Sequence, residues 1–104
     1  MRQKARCQII QAMSELYHIY IMPRNGVMRP QVEEKLNLAV NWFRYNERCY
    51  VVETTSNEDK WQERLLPLVN PGGYLFICKF DSTHYHGFMS PKFWEWFHER
   101  RNKQ

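Results

Sequence analysis

The sequence has no long hydrophobic run. Its unbroken apolar stretches are only a few residues, far short of the ~20 needed to span a bilayer, and its basic start is not followed by an apolar signal core. The expectation is a soluble, cytoplasmic protein without a membrane partner. Cysteine is scarce and odd in number. Cys7, Cys49 and Cys78 share no close spacing, which excludes a CxxC metal knuckle and a disulfide framework, so all three are expected to stay reduced. Internal repeats, low-complexity tracts and linkers are absent, as is the GxSxG signature of a serine nucleophile. No run of Lys or Arg is long. With 15 basic against 11 acidic residues, the net charge of +4 is compatible with nucleic acid or an acidic protein face and demands neither. Nothing calls for a cofactor or a metal, and no residue is assigned a catalytic role.

What the chain does have is apolar and aromatic content, 43% and 15% of 104 residues, enough for one core and too little for two. The pattern is clearest over residues 48–81. A strand (RCYVVETT) leads to a capped helix (SNEDKWQERLLPLV), an NPGG turn and a second strand (YLFICKF). Thr55 or Ser56 is the expected cap, with Asp59 near capping-box spacing from Ser56. Trp61, Leu65 and Leu68 form the inner stripe. Pro67 should kink or stop the helix. Residues 74–80 are apolar on both faces, as in a central or well-covered strand. Glu53 marks the point where the preceding strand reaches water.

Upstream, residues 1–16 place Ile9, Ile10, Met13 and Leu16 near helical spacing. A short amphipathic helix and a leader of little structural weight both remain open. Residues 17–22 (YHIYIM) read as the first strand, and Pro23, Asn25 and Gly26 break it. Pro30 opens a helix whose stripe is Val32, Leu36, Ala39, Val40 and Phe43, ending near Asn41. From Trp42 the period changes to two, so a hairpin into the strand at 48–54 is the economical reading; a helix continued through Tyr45 is the alternative. After Asp81 comes a polar aromatic loop, and Ser90-Pro91 caps a last helix in which Phe93 and Phe97 share a face. Trp94 and Trp96 diverge, so that one of them should look outward.

The order strand, helix, strand, strand, helix, strand predicts an α+β fold, the ferredoxin-like split βαβ (βαββαβ) with an added C-terminal helix and a possible short N-terminal one. The division is an N-terminal segment (1–16), a ferredoxin-like core (17–81) and a C-terminal loop and helix (82–104). From Trp42 to Asp81, the aromatic pair, short turn, strand ending in threonines, capped helix with LLPLV, NPGG turn and apolar strand resemble the small SinR-like proteins. Those are relatives of the VapD-type nucleases and of the smaller CRISPR adaptation subunit. The resemblance implies a homodimeric domain in a nucleic-acid-associated, phage, mobile-element or defence setting. In the nuclease branches an aspartate at the end of strand one helps bind metal. Here that place reads Ile21-Met22-Pro23-Arg24-Asn25, with no acid to serve a hard divalent cation.

The candidate binding residues are therefore basic and aromatic. Arg24 and Arg29 in the first loop, Arg44 and Arg48 at the hairpin, and Arg100, Arg101 and Lys103 at the end can contact phosphates. Tyr45, His84, Tyr85 and Trp94 offer stacking faces. His84 and His86 would point the same way on an extended segment, with Asp81 beside them, but two or three such groups in a loop more often stay solvated. Cys49 and Cys78 read as buried, structural thiols. Three roles follow: binding nucleic acid or a nucleic-acid-processing complex, binding a protein as an inhibitor or antitoxin-like regulator through the aromatic tail, or metal-dependent cleavage through a displaced acid such as Glu53 or Asp81.

Overall fold

The computed structural model describes residues 14–102. The helix or leader considered for residues 1–16 lies, up to residue 13, outside the described residues, while Glu15 and Leu16 already belong to the first strand. The elements are β1 (Glu15–Met22), α1 (Arg29–Leu36), β2 (Asn41–Asn46), β3 (Cys49–Thr54), α2 (Glu58–Val69), β4 (Tyr74–Lys79) and α3 (Pro91–Asn102). The four strands form one antiparallel sheet in the order β2-β3-β1-β4. The protein is thus a small α+β fold, and no described helix is long and apolar enough to cross a membrane.

Strand alternation sorts the core into two layers. Ile19 and Ile21 of β1, with Tyr50 and Val52 of β3, face α1 and α2. They pack on Val32, Leu36, Trp61, Leu65 and Val69. Fully burying each such side chain contributes roughly 1.5–3 kcal/mol. Trp61 is wholly buried, and its indole N–H donates to Thr54 Oγ1 at 3.1 Å, so its one polar atom is satisfied. On the opposite face Leu16 and Val51 pack on Phe93 and Phe97 of α3, and Phe43, Tyr45 and Phe80 close around them. Trp94 and Trp96 are both half-buried against this second layer, so neither is free in solvent.

The hairpin reading holds: β2 and β3 are joined across Glu47 and Arg48, with an irregularity that leaves Tyr45 without a partner in the ladder. The first helix is shorter than its periodicity suggests and stops at Leu36. Asn37 caps it, and the Asn37 Oδ1 accepts the Trp42 indole N–H at 2.9 Å, fixing the chain reversal into β2. Ala39 still packs on the core, but Val40 is exposed and Phe43 belongs to the other layer. The cap of α2 is Asn57, not Thr55 or Ser56; its Oδ1 accepts the Lys60 amide at 2.9 Å. Pro67 does not end α2, which runs on to Val69. Proline removes one amide donor, so near a helix end it leaves few backbone bonds to break.

Two expectations about burial fail. β4 is an edge strand, half open to water: Tyr74 is 67% and Phe76 62% exposed. Its inner row, Leu75 and Ile77, packs under the helices, whereas on the other face α3 does not reach the row that starts at Tyr74. For the same reason Cys78 is exposed and Cys49 half-buried, so they are not core thiols. Conversely, Glu53 is only 5% exposed. It lies 3.8 Å from Arg100 Nη1 and accepts the Ser14 hydroxyl at 3.3 Å, so the end of β3 turns inward under α3.

Candidate functional site

The structure gathers the nominated basic and aromatic residues into two places. The first is a cleft at the end of the sheet where β1 leaves and α1 begins. Arg29 comes from the first turn of α1, Arg44 from β2 and Arg48 from the β2–β3 turn. With Ile21, Pro23, Met28, Val32, Glu47 and Tyr50 they enclose about 320 Å³. Local chemistry places each one. The Met28 amide donates to Gln31 Oε1 at 2.9 Å, and Pro30 sets the first turn of α1, holding Arg29 at the cleft wall. The pairing of Arg44 with Tyr50 turns the Arg44 side chain toward α1.

The charges in this cleft are not equally committed. Arg29 lies 3.6 Å from Glu33, which also accepts the Tyr50 hydroxyl at 3.1 Å. Burial, and next the Glu33 carboxylate, push the Tyr50 phenol up to about 12. Among the described residues no ion pair involves Arg44 or Arg48, and Arg44 Nε is buried without a hydrogen-bond partner. A buried guanidinium N–H left unpaired costs free energy that an incoming acceptor would recover. Glu47 is the cleft's one acidic lining residue. Arg24, in the following loop, is exposed and spends its Nε–H on the Pro67 carbonyl at 3.0 Å.

The second place is a shallow groove of about 510 Å³ between the loop after β4 and the side of α3. Tyr85, His86, Trp94 and Arg101 line it together with His98. His98 stacks on Trp94 with ring centroids 5.4 Å apart, and the Arg101 guanidinium lies 5.7 Å from the Tyr85 ring centre. The Arg101 Nε–H donates to the Ser82 carbonyl at 2.7 Å, tying the loop to the helix. His98 was missed in the sequence; its one-turn spacing from Trp94 was the available signal.

The remaining candidates lie elsewhere. Arg100 is 9% exposed and bound to Glu53 and Glu99 under the second layer. The extended segment on which His84 and His86 would point the same way does not form, since residues 82–84 make a turn. The His84 Nδ1 lies 2.9 Å from Asp81, which also accepts the Thr83 hydroxyl and amide. The hydrogen bonds from Thr83 chiefly, and the one from His84, hold the Asp81 carboxyl near 2. Lys103 falls outside the described residues. Among the described residues no group of three His, Cys, Asp or Glu side chains converges on a point that could hold a metal ion.

Tyr45 is also not at the surface groove. Its hydroxyl meets His18 Nε2 at 2.6 Å on the α3 side of the sheet. Desolvation lowers the His18 pKa and, with the neighbouring Cys49 thiol second, raises that of Tyr45 to about 12. Comparison with family models, with curated proteins and with solved structures gave no match.

Proposed function

We propose that this chain is a non-catalytic, ferredoxin-like module that acts as a homodimer and binds nucleic acid, or a complex that processes it, through the arginine cleft. The observation that carries this reading is the convergence of Arg29, Arg44 and Arg48 from three separate elements on one cleft, with Arg44 Nε buried and unpartnered. Guanidinium groups match phosphate oxygens in pairs of parallel hydrogen bonds. The strand order β2-β3-β1-β4, with α1 and α2 on one face, supports the ferredoxin-like assignment, as does the resemblance of residues 42–81 to SinR-like proteins. A setting in phage, mobile-element or defence functions follows from that resemblance alone.

Fluorescence anisotropy with labelled RNA and DNA, at low and at moderate salt, tests the reading. Binding in the ~1–100 μM range with a negative salt slope is expected. Arg44→Ala and Arg48→Ala should each weaken it and shallow the slope by about one unit. Absence of any complex at ~100 μM protein and low salt removes the proposal.

A protein partner is the second reading, as an inhibitor or antitoxin-like regulator. It is favoured by Phe88, which is fully exposed and follows the groove residue Gly87 directly. A stoichiometric protein that co-purifies after nuclease treatment, and is lost with Phe88→Ser, supports it.

A further inference from the structure

Among the described residues, half of one sheet face has no helix over it. α3 and the loop before it cover Leu16, Val51, Phe43, Tyr45 and Phe80, but no described helix packs on the rows beyond His18. In the β1–β4 register these rows are the cross-strand pairs Tyr20 with Phe76 and Met22 with Tyr74. Directly paired residues on one face stand ~4.5–5.5 Å apart at Cβ, and the next row lies two residues on, about 7 Å away. Two adjoining rows of aromatic and thioether side chains therefore present a flat, uncharged surface, with Phe76 and Tyr74 each more than 60% exposed.

The bare rows and the arginine cleft share one end of the sheet but lie on its opposite faces, the cleft on the α1 side with Ile21 and Tyr50, so a strand that reaches both passes round that end. The Ile21 amide donates to the Arg48 carbonyl at 2.8 Å. Cys49, next to Arg48, pairs with Tyr20, and Pro23 of the cleft wall follows Met22 directly. The exposed acids Glu58 and Asp59 flank β4 near Ile77, toward its other end, in a cavity that also touches Phe76. Arg48, with Glu47 beside it, thus borders the Tyr20, Met22 and Tyr74 end of the rows, while Glu58 and Asp59 approach Phe76 from the α2 side.

We infer that these rows are a stacking platform for the bases of a single-stranded nucleic acid whose phosphates enter the arginine cleft. The inference rests on the proposed reading of that cleft and adds its substrate class. A duplex hides its base faces inside the stack, whereas an unpaired strand presents them, and aromatic side chains accept any base in this way. Tyr20 and Tyr74 also offer hydroxyls to base edges without favouring one sequence. A second copy of the chain is the competing occupant of the same rows, and by covering the rings it would exclude bases.

The test uses the full chain and labelled homopolymer oligonucleotides, single-stranded and as duplexes of equal length. The single strand is expected to bind at least about tenfold more tightly. Phe76→Ala and Tyr20→Ala should each weaken single-strand binding about five- to tenfold with duplex binding unchanged, and Phe76→Tyr should bind as wild type. Photo-crosslinking of a thiouridine oligonucleotide should label residues 74–79. Equal binding of both forms, with the alanine variants indistinguishable from wild type, overturns the platform while leaving the cleft intact if Arg48→Ala still weakens both. Failure of every probe to bind overturns the cleft as well. A dimer in sedimentation that dissociates with Phe76→Ala, while single-strand binding persists, assigns the rows to a second copy and also overturns the inference.

Discussion

His18 Nε2 and the Tyr45 hydroxyl are 2.6 Å apart on the α3 side of the sheet. Burial disfavours the imidazolium, so the folded state holds His18 below the ordinary histidine value. Through the region below ~6.5 the unfolded chain takes up this proton before the folded chain does, and stability falls as pH falls. Above that value the contribution is complete. Urea unfolding from pH ~7.5 to ~5.5 should show this decline, and His18→Gln, which keeps a polar partner for Tyr45 but cannot titrate, should flatten it. Equal slopes for the two proteins would contradict the assignment.

Tyr45 and Tyr50 titrate in the opposite sense. Both phenols are pushed up to about 12, first by burial. Their stabilising effect is present below ~10 and is lost as pH rises from there toward the folded value. Phenolate absorbance should therefore show Tyr45 and Tyr50 ionising late, together with loss of the fold, with Tyr17, raised by burial and by Glu58, also above the ordinary value. Tyr50→Phe should remove one of these late steps.

The buried pair of Glu53 and Arg100 sets Arg100 apart from the arginines of the cleft. Arg100→Met leaves the Glu53 carboxylate buried beside the Ser14 hydroxyl alone and should cost about 3 kcal/mol in chemical denaturation. The double variant Glu53→Gln with Arg100→Met should recover part of this loss. Neither change should alter the salt slope of nucleic-acid binding; a fall of about one unit for Arg100→Met would instead make Arg100 a phosphate contact.

Gly73 joins the last turn to β4, where an added Cβ would collide with the Met22 carbonyl oxygen and crowd the Arg24 amide. Gly73→Ala should destabilise by ~1–3 kcal/mol through a shift of β4 against β1. Thermal unfolding measures the cost.

Patterns repeated within one element were legible in the sequence. The Trp61 and Leu65 stripe, the change of period at Trp42 and the NPGG turn each depend on neighbours a few residues away, and each placed its element. Burial of β4 was not legible, because YLFICK has the same apolar content whether a helix covers one of its faces or both. Which rows α3 covers is decided by where Phe93 and Phe97 land on Leu16 and Val51, a contact across most of the chain. Glu53 was read as solvated for a related reason: its partner Arg100 is 47 residues away. The arginines of the cleft could be nominated singly by type. Their convergence depends on the hairpin register and on where α1 starts, and neither follows from charge.

The exposed thiol of Cys78 stands on the same sheet face as Tyr20 and Phe76, across from His18 in the register. It gives the protein a built-in chemical clock. Alkylation at Cys78 should proceed at the pace of an open surface while that face is vacant and slow when anything settles over it, and half-buried Cys49, paired with Tyr20 on the same face, should slow with it. With Cys7 replaced by serine, the two rates, each taken against the unfolded chain, read occupancy of that face.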